Sequence, residues 1–221
     1  MAKGSISSSV IRRMPRYYRF LGELARQGVV RISSRELAER MGLTASQIRQ
    51  DLNCFGGFGQ QGYGYNVPEL HSEIGRILGV DAASRTILVG AGNLGKAIAQ
   101  HLDFAKRGFE LIGIFDKNPD LWGTEIAGVP VSDIAEMEAF CAEQHPTVAI
   151  LCIPKTAAFD TAQKLCALGI RGFWNFSHYD LRQFEDVVVE NVHLGDSLLT
   201  LSYGLKSSQE PDEKSAGGAK G

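Results

Sequence analysis

The sequence predicts an α/β chain: an N-terminal winged helix-turn-helix domain, then a Rossmann-type parallel sheet domain, then a C-terminal helix. Three observations predict it. Capping spacings and a glycine turn mark two short helices between Ser33 and Asn53. From Thr86 onward, β-rich apolar runs alternate with helical patterns. Where the second region begins, "TILVGAGNLGKAIAQHL" (Thr86 to Leu102) reads as strand, glycine turn and helix.

The 221 residues suffice for two small domains, and 44% hydrophobic with 22% charged residues is the composition of a soluble globular protein. No apolar run approaches the ~18 residues of a membrane span. The start "MAKGSISSSVIRR" lacks the apolar centre of a signal peptide. A cytoplasmic protein without a membrane partner is the expectation. Cys54, Cys141, Cys152 and Cys166 have no metal-site spacing and form no C-x-x-C, so no metal is expected. Cys152 and Cys166 read as small buried hydrophobes; Cys54, between a polar helix and a glycine loop, is open to oxidation or simple packing. The net charge of −2 hides an asymmetry: residues 1–80 carry +5, nearly all of it arginine on the positive side, and residues 81–221 carry −7. Arginine forks suit phosphates and guanine edges, although a solvated charged face has the same composition.

In chain order, "PRYYRFLGELARQG" predicts a helix opened by Pro15, with Tyr17, Leu21, Leu24 and Gly28 on one side. Ser33 and Glu36 have capping-box spacing; Leu37, Ala38 and Met41 follow on one face, and Gly42 is placed to end the helix. Thr44 and Gln47 predict a second box opening Ala45 to Asn53. Ile48 and Leu52 face inward there, leaving Ser46, Gln47, Arg49 and Gln50 outward. Those side chains can read base edges in a major groove. An antiparallel pair of amphipathic helices is the alternative for this stretch alone. "FGGFGQQGYGYN" (Phe55 to Asn66) then packs five glycines and four aromatics into twelve residues, suiting a small β-hairpin, the wing. Its contact residues would be Gly59, Gln60, Gln61, Gly62 and Tyr63, with Arg12 and Arg13 adding positive charge near DNA. "PELHSEIGRILG" is a helix opened by Pro68 with Leu70, Ile74, Ile77 and Leu78 as its stripe, and Val80 to Arg85 is a linker.

In the second domain "TILVG", "FELIGIFD", "VAILCIP", "IRGFWNF" and "DVVVENV" predict strands, and "NLGKAIAQHL", "DIAEMEAFCAE" and "AAFDTAQKLCALG" predict helices. "LGDSLLTLSYGLK" is a final helix whose apolar face holds Leu198, Leu199, Leu201 and Leu205. The expected divisions are residues 1–80, 81–192 and 193–206, with 207–221 a polar, disordered tail.

Gly90, Gly92 and Gly95 make G-x-G-x-x-G in the required strand-to-helix context. Gly90 permits the tight turn, Gly92 lets backbone approach a pyrophosphate, and Gly95 lets the helix pack close to the sheet. Ala91, Asn93 and Leu94 complete the loop. Asp116, 21 residues past Gly95, is where a carboxylate would take the ribose hydroxyls of NAD(H), with Lys117 beside it. Ile153, Pro154, Phe176 and Ser177 fall at strand ends and would line a mainly apolar nicotinamide pocket. Such a pocket prefers the neutral ring of NADH to the cationic ring of NAD⁺. No substrate domain and few general acids or bases follow, so no catalytic residue is assigned. A small NAD-dependent oxidoreductase and a coenzyme-A-binding regulator remain alternatives.

On "LTASQIRQDLNCFGGFGQQGYGYNV", "LVGAGNLGKAI", "GIFD", "CIPK", "NF" and "VENVHLGDSLLTLSY", the chain resembles the Rex family of bacterial redox-sensing repressors over about residues 5–206. The resemblance implies a homodimer whose C-terminal helix is swapped between subunits. It also implies binding to palindromic operator DNA and release when NADH binds. It implies that Gly90 to Gly95 hold the pyrophosphate and Asp116 the adenosine ribose, and that Arg19 lies at the boundary between domains. Many relatives carry tyrosine where this chain has His101, alanine-proline where it has Ser177-His178, and some carry aspartate at His193.

Overall fold

The computed structural model describes residues 6–56, 58 and 63–209. The chain divides into two compact units. The first runs to Ala83 and takes in Ala105–Phe109; the second is Ser84–Phe104 and everything from Glu110 onward.

The first unit opens with α1 (Ser8–Arg26), whose stripe Val10, Met14, Tyr17, Leu21 and Leu24 is buried. Helix α1 does not begin at Pro15; the proline sits inside it. Pro15 forfeits one intrahelical bond, but the buried stripe continues on both sides of it, and packing overrides the local cost. Strand β1 (Arg31–Ile32) precedes α2 (Ser34–Met41) and α3 (Ala45–Asn53). The Ser33 and Glu36 capping box is complete in both directions, at 3.1 and 2.9 Å, and Gly42 closes α2 in the left-handed region at φ 63°. The second box has one recorded arm only: Thr44 Oγ1 accepts from the Gln47 N–H at 3.1 Å.

Strand β2 (Tyr65–Asn66) pairs antiparallel with β1, Arg31 opposite Asn66 and Ile32 opposite Tyr65. The last two residues of the glycine-rich stretch therefore pair with a strand more than thirty residues earlier. Gly64 makes this possible: at φ +70°, a Cβ there would lie 2.6 Å from the Ile32 carbonyl. The predicted wing residues Gly59, Gln60, Gln61 and Gly62 lie outside the described residues. Helix α4 (Val67–Leu78) follows, capped by the Asn66 side chain with Pro68 in its first turn, and packs against α1.

The second unit is built on a seven-stranded sheet. Its strands are β3 (Ser84–Val89), β4 (Phe109–Asp116), β5 (Glu125–Ile126), β6 (Val129–Asp133), β7 (Val148–Leu151), β8 (Gly172–Asn175) and β9 (Val188–Asn191), in the order β5-β6-β4-β3-β7-β8-β9. The β4–β6, β3–β7, β7–β8 and β8–β9 ladders are parallel. Strand β5 runs antiparallel to β6 at one edge, so the sheet is mixed rather than purely parallel. This β5–β6 hairpin is absent from the sequence reading. With β5 alone set aside, the remaining six strands have the doubly wound order 3-2-1-4-5-6.

Alternation along the strands separates two cores. Ile87, Val89, Ala149 and Leu151 face α6 (Met137–Gln144) and α7 (Lys155–Ala167). Leu88, Ile114 and Ile150 pack on the other side with Ala99 of α5 (Asn93–His101). Helix α8 (Leu194–Gln209) ends the described chain, so residues 207–209, expected in the tail, are helical.

Candidate functional sites

Helix α3 presents Ser46, Arg49 and Gln50 to solvent, with Gln47 half-buried behind its capping bond. Arg49 rests its guanidinium on Ser34 Oγ at 3.1 Å, a contact weak enough to exchange for another partner. Tyr63 is exposed, and Arg12 is exposed on α1. Arg13, grouped with Arg12 in the sequence, is used differently. Its Nε and Nη2 each donate to Asp51 at 2.7 Å, and Tyr17 Oη donates to the same carboxylate at 2.9 Å. Asp51 is buried on the underside of α3, and the bond to it holds the Arg13 guanidinium above its ordinary pKa. Burial, followed by the bond to Asp51, raises that of Tyr17. Arg13 thus fastens α3 to α1 rather than standing free for phosphate. Asp51 escaped the sequence reading, although its position three residues after Ile48 places it on the inward face.

In the second unit the order in which strands are added reverses between the parallel neighbours β3 and β7, where Val89 pairs with Leu151. Such switch points are where doubly wound sheets hold ligands. Gly90 and Gly95 are dictated by the protein itself. A Cβ on Gly90, at φ +100°, would lie 2.4 Å from the Cys152 carbonyl, and one on Gly95 would lie 1.9 Å from the Gly90 carbonyl. Gly92 differs: nothing lies within 4 Å of where its Cβ would be. No side chain caps α5, so Asn93, Leu94 and Gly95 open a helix N-terminus with free N–H donors beside that space. Asp116 is aimed at the same turn. One carboxylate oxygen accepts from the Ala91 N–H at 2.6 Å and the other from the Asn118 N–H at 2.8 Å. Each oxygen keeps acceptor capacity for a ribose hydroxyl, and both are fixed in place. Lys117 is exposed. These groups fit the pyrophosphate and ribose of a dinucleotide.

The residues expected around a nicotinamide are only partly available. Ile153 is half-buried against the Gly90 turn and Pro154 is exposed at the start of α7. Phe176 is buried against Trp174, and Ser177 is buried with its Oγ donating to Asn175 Oδ1 at 2.6 Å. Asn175 also donates to Asn191 Oδ1 and the Tyr179 carbonyl, joining the ends of β8 and β9. Beyond this network His178, at φ +58°, and His193 meet through their Nδ1 atoms at 3.1 Å. A cavity of 360 Å³ lies elsewhere, between Met137 and Glu138 of α6 and Asp160 and Lys164 of α7. Burial pushes the Cys141 thiol up to about 11 and Cys152 up to about 12, as inert small hydrophobes. Among the described residues no group of three or more His, Cys, Asp or Glu is placed to hold a metal ion. No helix among them is long and apolar enough to cross a membrane.

Residues 5–53 match the family described as "Putative DNA-binding protein N-terminus", and residues 81–179 match "CoA binding domain". The chain is 56% identical over 207 residues to the redox-sensing transcriptional repressor Rex of Caldanaerobacter subterraneus, covering 94% of this chain and 92% of that protein. The chain belongs to the Rex family. The Rex repressor of Clostridioides difficile is 51% identical over 93% of this chain and 98% of its own length. Among solved structures, the repressor RSP in complex with β-NAD⁺ and operator DNA superposes with a TM-score of 0.86 at 56% identity, over 93% of this chain and 94% of that one. RSP in complex with β-NADH gives 0.85 at 53% identity, over 93% and 96%. This Rex-family likeness spans both units, so it accounts for the helix-turn-helix and the glycine turn together.

Proposed function

We propose that this chain is a dimeric repressor that binds palindromic operator DNA and lets it go when NADH binds, so that it reports the NADH/NAD⁺ ratio. The observation that carries the ligand half is the open space over Gly92. The chain has no use of its own for a glycine there, while an uncapped helix N-terminus and the Asp116 carboxylate border the same turn. The RSP complexes with β-NAD⁺, β-NADH and operator DNA support both halves. Arg49, Gln50 and Ser46 would read base edges, the two α3 helices of a dimer lying about one DNA turn apart. The exposed leucines of α8 would be covered by the partner subunit. Release requires only that NADH bind the non-operator arrangement more tightly than the operator-bound one. It needs no hydride transfer, and the site includes no residue to which we assign proton transfer.

The family resemblance of residues 81–179 to a coenzyme A binding domain keeps that ligand in the test. Coenzyme A carries a phosphate on its adenosine ribose, which the Asp116 carboxylate would repel. Titrating a complex with palindromic DNA against NADH, NAD⁺ and coenzyme A decides the matter. NADH alone should release the DNA at low concentration. Release by coenzyme A, or an intact complex at every NADH level, would overturn the reading. Turnover of NADH with a simple carbonyl compound would instead establish the oxidoreductase alternative.

A further inference from the structure

We propose that Trp122 is the platform on which the adenine base of the dinucleotide stacks, an inference that rests on the ligand reading above. The chain has two tryptophans. Trp174 packs edge-on against Phe176 inside the second unit. Trp122 instead stands 39% exposed at the end of the loop that leaves β4. The loop holds it firmly. Its Nε1–H donates to the Asp116 carbonyl at 2.9 Å, and its backbone N–H bonds the Pro119 carbonyl at 3.2 Å. Asn118 caps the intervening turn through the Asp120 N–H at 3.1 Å, and the next residue, Gly123, bonds Val131 of β6 at 2.8 Å.

The indole's single polar group is therefore satisfied, and its apolar faces meet no other ring among the described residues. A large aromatic ring held still and left partly open has lost its side-chain freedom without gaining full burial. The place where it stands gives that arrangement a use. Trp122 is pinned to the same residue whose carboxylate is aimed at the ribose site. The base is attached to that ribose, so it must lie within one sugar ring of Asp116. Stacking on an aromatic ring recognises the face of a base and not its edge. It would therefore favour ligands carrying an adenosine half whatever the redox state of the other half. In this division Trp122 and Asp116 supply affinity common to NADH and NAD⁺, and the strand ends beyond Gly90 supply the difference between them.

Trp122→Ala and Trp122→Phe test this with ADP-ribose and NADH in isothermal titrations. Trp122→Ala should weaken both ligands by one common factor, roughly 5- to 150-fold for a lost base–aromatic stack. Trp122→Phe keeps a ring but loses the Nε1–H bond, and should hold both affinities within about three-fold of wild type. ADP-ribose should quench the tryptophan emission of the wild-type protein and leave that of Trp122→Phe unchanged. Unchanged affinities in Trp122→Ala, a loss confined to NADH, or a Phe variant as weak as the Ala variant would each overturn the proposal. Wild-type protein that binds neither ligand would sink the dinucleotide reading itself, a different outcome from wild-type binding that ignores Trp122.

Discussion

Arg13 and Asp51 are joined by two bonds of 2.7 Å, across 38 residues of chain, and the pair fixes the underside of α3 to α1. Asp51 is 2% exposed, so its charge depends on Arg13 and Tyr17 for compensation. Removing the arginine leaves a buried carboxylate with one hydroxyl partner. Arg13→Ala should therefore destabilise the first unit by about 2–4 kcal/mol, read as a shift in urea midpoint. Replacing both residues by apolar ones of similar size should recover much of that loss. A single variant as stable as wild type would show that the pair contributes nothing.

His71 supplies a pH dependence. It stacks on Tyr18 with ring centroids 4.2 Å apart, in the packing between α1 and α4. Burial holds the imidazole below its ordinary pKa. As pH falls, the unfolded chain takes up the proton first, so the stability His71 contributes is full above about pH 6.5 and declines below it. His71→Phe keeps the stacked ring and removes the titration. Its unfolding free energy should fall less between pH 7.5 and 5.5 than that of wild type, and parallel pH profiles would refute the assignment.

What could be read from sequence was local. The Ser33–Glu36 box, the Gly42 end of α2 and the Gly90–Gly95 turn are each decided within a few residues, and each is present. What could not be read depended on distant partners. Tyr65 and Asn66 pair with β1 because Gly64 lets two backbones approach, a contact no local pattern encodes. Strands β5 and β6 are short and Pro130 interrupts their alternation, so "TEIAGVPVSD" carries little strand signal. Arg13 looked like one more positive charge because its partner lies on another helix. Pro15 looked like a helix start because its buried neighbours, Val10 and Met14, precede it by less than two turns.

The last helix tests the proposed assembly. Leu194, Leu198, Leu201 and Leu205 recur every three or four residues along α8, which puts them in one stripe, and all four are exposed. A stripe of this kind is covered in a stable assembly. Leu198→Asp combined with Leu201→Asp should convert dimers to monomers in sedimentation equilibrium while NADH still binds the glycine turn. Dimers that persist would place the subunit interface elsewhere.

The two glycines at the heart of the turn should behave in opposite ways, because one answers to the protein and the other to its ligand. At Gly95 an added methyl would lie 1.9 Å from the Gly90 carbonyl, backbone that cannot give way without moving α5 off the sheet. Gly95→Ala should lower thermal stability and ligand affinity together. At Gly92 the backbone has φ −66°, open to any residue, and the methyl would meet no atom within 4 Å. Gly92→Ala should therefore fold with a stability within about 0.5 kcal/mol of wild type, as surface substitutions do. Yet the methyl would occupy the path by which a pyrophosphate approaches the N–H donors of Asn93 and Leu94. NADH affinity should drop by about ten-fold or more, on the order of 1.4 kcal/mol, with operator affinity in the absence of NADH unchanged. Calorimetry and a DNA-binding titration on the same preparation separate the two effects. If Gly92→Ala binds NADH as wild type does, the open space over Gly92 is not where the dinucleotide sits.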